Sequence, residues 1–137
     1  MATPTQPARL VVHYRDGLIL KGFSNNFDPG RSSFALTLRN AVAGDTPVEV
    51  RLSDLKAVFF VEDFEGEPQY TERKEFLTPA AGRRMAVTFM DGEVLWGTSL
   101  TYHPASTGFF LFPGDPWSNN DKVFVVSAAV TEIGKAS

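Results

Sequence analysis

Two histidines and a group of closely spaced carboxylates are the residues whose types could support catalysis or metal binding. The histidines are His13 and His103, and the carboxylates are Asp63, Glu65 and Glu67. A zinc site needs further ligands at short spacing, and the chain has neither a cysteine nor a His-x-x-x-His pair. The alternating carboxylates could act as acid and base or bind a divalent cation, but a solvated acidic loop anchored by Phe64 explains them more simply. We therefore expect no catalytic residue, no metal site and no cofactor, and predict that the protein is not an enzyme.

A binding surface is the other use that polar and aromatic residues of this kind can have. Trp117 lies among turn-forming residues, where an aromatic side chain either packs back onto the fold or anchors a partner. Asn119 and Asn120 favour a turn, and Arg83 and Arg84 could pair with nearby acids or bind an anion. The candidate binding surface comprises Asp63, Phe64, Glu65, Glu67, Arg83, Arg84, Trp117, Asn119 and Asn120.

These residues are positioned by a chain that repeats itself with an offset of 75 residues. Asp16-Gly17 matches Asp91-Gly92, and Gly22 matches Gly97, in one ungapped register that carries residues 12–58 onto 87–133. Residue type is kept at the alternating apolar positions along this register. A chance match would not preserve that pattern over nearly fifty residues, so the sequence predicts an internal duplication.

The segment between the repeats has no counterpart in either of them. Residues 59–82 carry six Asp and Glu but only two Lys and Arg. Tyr70, Lys74 and Leu77 would share a face of a helix, so a short helix and an extended strap both remain open. We expect a first repeat over residues 1–62, an acidic connector over 63–82 and a second repeat over 83–137.

Each repeat has the pattern of a small β-structure. An Asp-Gly pair between alternating apolar runs predicts a hairpin with a type I′ turn. The glycine that follows in the second strand, Gly22 or Gly97, indicates a sharp bend. Three more short apolar runs follow in each repeat, without helical periodicity. The expected fold is all-β, with two tandem five-stranded barrels of the Sm-like or SH3-like kind.

Composition limits the classes of function. The net charge is −3, and the basic residues are not concentrated as they usually are in proteins that bind phosphate backbones. The absence of cysteine excludes disulfides, thiolate metal sites and cysteine nucleophiles. No apolar run has the length of a membrane span or a signal peptide. We expect a cytoplasmic protein that does not associate with membranes.

The pattern of each repeat resembles the Sm-like fold, whose members include the bacterial RNA chaperone and the splicing core proteins. In that fold the hairpin between strands four and five carries RNA-reading residues such as a Lys-His or Arg-Gly pair. The matching positions here are Arg51-Leu52-Ser53-Asp54 and Val126-Ser127-Ala128-Ala129. Because the basic signature is missing, RNA binding does not follow from the resemblance.

A second resemblance covers nearly the whole chain. The segments Phe59–Gly66 and Gly108–Asn120 resemble those of an uncharacterised bacterial family, whose members carry the duplicated unit alone or beside signalling modules such as PilZ. The resemblance implies a role in bacterial regulation. We predict a non-enzymatic binding or interaction module whose partner is a protein or a small ligand. An Sm-like RNA-binding protein is the alternative, and a homo-oligomer is compatible with the sequence.

Overall fold

The computed structural model describes residues 7–64, 82–100, 102–114 and 119–135, and it confirms the all-β prediction. The ten strands are β1 (Ala8–Tyr14), β2 (Ile19–Ser24), β3 (Ser33–Leu38), β4 (Val48–Arg51), β5 (Leu55–Val61), β6 (Arg83–Phe89), β7 (Val94–Ser99), β8 (Gly108–Pro113), β9 (Asn120–Val126) and β10 (Val130–Lys135). One-turn 3-10 helices, Leu52–Asp54 and Ser127–Ala129, precede β5 and β10. The helix considered for the connector lies outside the described residues. No helix in the described ranges is long and apolar enough to cross a membrane.

All ten strands belong to one open antiparallel sheet, in the order β10-β6-β7-β8-β9-β5-β1-β2-β3-β4. The first five strands and the last five follow the same internal order. We expected two separate barrels, and the structure differs because the halves are joined edge to edge. The free edge of β5 pairs with β9, with Ala57 opposite Val125 and Phe59 opposite Val123.

Two hydrophobic cores lie on opposite faces of the joined strands β5 and β9. Because side chains alternate along a strand, Val58 and Phe124 enter the first core while Phe59 and Val123 enter the second. The first core is formed by Leu10, Val12, Phe34, Leu36, Val50, Leu55, Val58, Phe124 and Val126. The second is formed by Val11, Ala57, Phe59, Val61, Met85, Val87, Phe89, Phe109, Leu111, Val123, Val125 and Ala129. Each half therefore completes its core with a strand of the other half.

The two Asp-Gly hairpins have a three-residue loop rather than the predicted type I′ turn. Among the described residues only glycines have positive φ, including Gly17 at 98° and Gly92 at 91°. The amide of Gly17 donates to the carbonyl of Tyr14 at 3.1 Å, and the amide of Tyr14 donates to the carbonyl of Leu18 at 2.9 Å. The Asp16 carboxylate accepts from the amide of Leu18 at 3.0 Å. Because this bond stabilises the loop locally, Asp16 does not need the left-handed conformation that type I′ requires.

The two mid-strand glycines are needed where neighbouring strands approach closely. A Cβ added at Gly22 would lie 2.3 Å from the carbonyl oxygen of Thr37, and one at Gly97 would lie 2.3 Å from that of Phe112. Both glycines sit on the second strand of their half, against the third strand. The two environments match, and the bend predicted at these glycines stays a prediction.

Candidate functional site

An open groove of about 430 Å³ lies where the two halves meet. Its ends are built from matching loops: Ser32 and Thr107 follow the second strand of each half, and Ser53 and Ala128 belong to the 3-10 helices. The amide of Leu52 donates to the carbonyl of Ser32 at 2.9 Å. The matching amide of Ser127 donates to the carbonyl of Thr107 at 3.0 Å. The groove is thus framed by backbone hydrogen bonds in both halves.

The wall of the groove is apolar and fixed in position. Phe124 and Val126 point from β9 into the groove, together with Leu52. The Phe124 ring is only 4% exposed and packs edge-on against Phe27, at a centroid distance of 5.5 Å. Its other side meets Gly108, where an added Cβ would lie 2.4 Å from the ring. The ring therefore has little freedom to move where it borders the groove.

Two arginines line the same groove. The Nη2 of Arg15 donates to the backbone carbonyl of Ser53 at 2.5 Å. The backbone amide of Arg15 donates to the backbone carbonyl of Asp54 at 3.0 Å. The contact with Ser53 orients the guanidinium without neutralising its charge. Arg31 lies 3.8 Å from the Asp28 carboxylate, in an exposed pair that contributes little energy. Both cations can therefore respond to a ligand.

An ion cluster of one buried lysine and two exposed carboxylates ties the halves together beside the groove. Lys56 on β5 is 7% exposed and donates to Asp91 at 2.7 Å and to Glu93, both at the β6–β7 hairpin. Its Nζ also lies 4.8 Å from the centre of the Phe89 ring. Desolvation lowers the pKa of Lys56, but the two carboxylates outweigh it, so the pKa is raised. The hydrogen bond from Lys56 lowers the pKa of Asp91. The raised pKa of Lys56 and the lowered pKa of Asp91 keep this pair charged, and the cluster acts as a clamp between the halves.

The histidines have structural surroundings. The His13 ring packs against Phe59 with the two planes tilted by 53° and the ring centres 4.5 Å apart. Burial, and then the charge of Lys56, lower the pKa of His13. His103 is exposed, and its Nδ1 accepts from the amide of Ala105 at 3.1 Å. In the ranges that the structure describes, no group of three His, Cys, Asp or Glu residues could hold a metal ion.

The structure brings four residues of the predicted binding surface together. The side chain of Asn119 accepts from the amide of Asp63 at 3.0 Å and donates to its carbonyl at 2.7 Å. Asn120 pairs with Val61 on the adjacent strand. The Phe64 ring packs edge-on against Phe23 at 5.2 Å. These contacts fasten the start of the connector to the sheet.

The other predicted residues are divided between different places. Arg83 stacks over Tyr102, with 5.6 Å from its guanidinium carbon to the ring centre, and Arg84 lies opposite Thr98 on β7. Glu65, Glu67 and Trp117 lie outside the described residues. None of the six described residues of that surface lines the groove.

The features that the two repeats share do not reveal the groove residues. The groove is built where they differ. Phe124 matches Glu49, Val126 matches Arg51, and Arg15 matches Met90. Positions where one repeat is apolar and the other charged were the signal that could have found the site.

The fold and the groove define an all-β protein of two joined halves with a ligand-sized site between them. Residues 3–135 match the model of a family of unknown function (DUF6982), and the chain belongs to this family. No curated protein and no solved structure matches the chain. Membership of an uncharacterised family agrees with the second resemblance, whereas bacterial origin and the link to PilZ remain predictions.

Proposed function

We propose that this protein is a non-enzymatic binding module that holds a small molecule in the groove between its halves. The observation that carries the proposal is the groove itself: about 430 Å³, with an apolar wall and a few placed polar groups. Small-molecule sites are typically concave, mostly apolar and of this size. A place in bacterial regulation, where a bound ligand would serve as a signal, completes the proposal on the strength of the family resemblance.

The rigidity of the groove supports binding rather than chemistry. The Phe124 ring is held between Phe27 and Gly108, and backbone hydrogen bonds frame both ends. A site that is already formed loses little conformational entropy when a ligand enters. The described side chains that line it supply hydroxyls and guanidiniums, and no nucleophile and base are paired among them.

The RNA-binding alternative has weaker support. Proteins that bind single strands stack successive bases on exposed aromatic faces. Among the described lining residues Phe124 is the one aromatic, and a single ring that is 4% exposed cannot stack successive bases. We therefore favour one small ligand over a nucleic acid strand.

A fragment screen followed by methyl NMR tests the proposal. Binding fragments should shift the methyl signals of Leu52, Val126 and Ala128 before others. In the variant Ala128→Phe the added ring should fill the groove and abolish these shifts. Thr37→Phe is the matched control, because residue 37 is exposed and its counterpart in the other half is Phe112. If no fragment shifts the groove methyls, or if Ala128→Phe binds them as well as the wild type, the proposal is wrong.

A further inference from the structure

The charge of the groove points to the kind of molecule that it takes. Arg15 and Arg31 both line it, and its other described lining residues are apolar or carry hydroxyls. Guanidinium groups bind carboxylates and phosphates through paired hydrogen bonds and remain charged at any physiological pH. The local chemistry therefore selects for a negative group on the ligand.

The two arginines differ in how they are held. Arg15 is oriented by the carbonyl of Ser53, which accepts one of its hydrogen bonds and leaves other donors of the guanidinium for a ligand. Arg31 faces Asp28 across 3.8 Å, with 75% of its side chain exposed. A ligand oxyanion can compete for Arg31 because that exposed pair is weak. Arg15 is thus the better organised of the two contacts.

The apolar wall of the groove favours an apolar body in the part of the ligand that does not carry the charge. Leu52, Phe124 and Val126 present hydrocarbon on one side of the groove. Contact with an apolar ligand body is favourable there, and an aromatic ring suits the neighbourhood of Phe124 because aromatic pairs gain more than their buried area alone provides. A ligand of pure charge, such as inorganic phosphate, would leave this wall in contact with water.

We propose that the groove binds a small molecule with a flat apolar body that carries one carboxylate or phosphate group, an inference that rests on the function proposed above. The oxyanion bonds to Arg15 and Arg31, and the ring lies against Phe124 and Val126. The hydroxyls of Ser32, Ser53 and Thr107 are within the same groove and can receive further polar groups of the ligand.

Matched ligand pairs test this inference by titration calorimetry with the whole chain. The first pair is 2-naphthoate and its neutral amide, and the second is adenosine monophosphate and adenosine. In at least one pair the charged member should bind about tenfold tighter than the neutral one, because a charge-assisted hydrogen bond is the stronger kind. The pair that shows the difference distinguishes a carboxylate from a phosphate ligand.

The variant Arg15→Gln should lower the affinity for the charged member about tenfold and leave the neutral member within about twofold. Arg51→Gln is the control, since Arg51 is an exposed arginine of β4 that does not line the groove. Equal affinities of charged and neutral members, or an unchanged affinity in Arg15→Gln, would overturn the inference. Absence of binding by all four probes would overturn it as well. The fragment screen judges the proposed function separately, because fragments of any charge can reach the groove.

Discussion

Each half has one edge strand at the junction and one at an end of the sheet, and the repeat matches the junction strand of either half with the end strand of the other. At the junction, β5 pairs with β9, whereas the matching strands β10 and β4 lie at the two ends of the sheet. The inner strands are buried on both faces. On β4, Glu49 and Arg51 are exposed at the positions that Phe124 and Val126 occupy on β9. The same position in the repeat is thus buried at the junction in one half and exposed to solvent at the end of the sheet in the other.

The outer edges carry features that oppose further pairing. Glu132 of β10 takes the place of Ala57, and Pro47, just before β4, takes the place of Lys122. A proline has no amide to donate to a neighbouring strand, and charges on an edge strand hinder docking of another chain. If a second copy paired with an end strand of the sheet in the way that β9 pairs with β5, Glu49 or Glu132 would become buried. We therefore expect this junction to form once per chain, whereas the oligomeric state stays a prediction.

Replacing Phe124 of the junction by glutamate, the residue at the matching position of the outer strand β4, should reduce stability the most. Phe124→Glu replaces a ring of the first core, only 4% exposed, by a carboxylate in the groove that Arg15 and Arg31 also line. We expect a loss of about 3–5 kcal/mol in unfolding free energy, since loss of the ring leaves a cavity and the carboxylate must be desolvated even with the arginines nearby. Urea unfolding followed by circular dichroism measures it.

The reverse exchange, Glu49→Phe, is the matched control for that variant. Residue 49 is exposed, so the stability of the single chain should stay within about 0.5 kcal/mol. A new apolar residue on the edge should instead promote association, seen by sedimentation as a concentration-dependent rise in mass. A small loss in Phe124→Glu would show that the junction is not the shared core described above.

Substitutions of the matched glycines compare the halves directly. Gly22→Val and Gly97→Val should each cost about 1–3 kcal/mol, because the added Cβ meets a backbone carbonyl oxygen of the neighbouring strand in both cases. Gly134→Val is the control: it lies in β10 with open space around its Cα, so valine should be neutral there. Thermal melts are sufficient to rank the three. A stabilised Gly22→Val or Gly97→Val protein would contradict the close approach of the second and third strands.

Local sequence patterns predicted where the strands lie but not how the strands of the two halves pair. The Asp-Gly pairs and the short apolar runs that follow them coincide with hairpins and strands of the structure. The pairing of β5 with β9 depends on which edges are free after each half has folded, and no short segment records that. The double burial of β9 was nevertheless visible, because Val123 to Val126 is an unbroken apolar run whereas Val48 to Arg51 alternates. The groove depends on this same pairing and was missed with it.

The clamp at Lys56 is a further difference between the junction and the outer edge, where Thr131 takes its place. Lys56→Met should reduce the unfolding free energy by about 1–2 kcal/mol, because charge-assisted hydrogen bonds are lost while the partners Asp91 and Glu93 can still be hydrated. Thr131→Met, at the matching exposed position, should cost less than about 0.5 kcal/mol. Equal losses in the two variants would mean that the clamp contributes nothing specific to the junction.

The same cluster should make stability depend on pH, which is the smallest effect expected. Burial and the positive charge of Lys56 lower the pKa of His13 in the folded protein, while Asp91, Glu93 and Lys21 also act on it. As the pH falls below about 6.5, the unfolded chain takes up a proton that the folded chain resists, so stability decreases. The lowered pKa of Asp91 adds a second loss at more acidic pH, because below about 4 the unfolded chain binds a proton that the folded carboxylate still resists. His13→Phe should remove the first loss and keep the second, as measured by urea unfolding between pH 7.5 and 3.5. If His13→Phe loses as much stability as the wild type between pH 7 and 5, the titration of His13 does not govern this step.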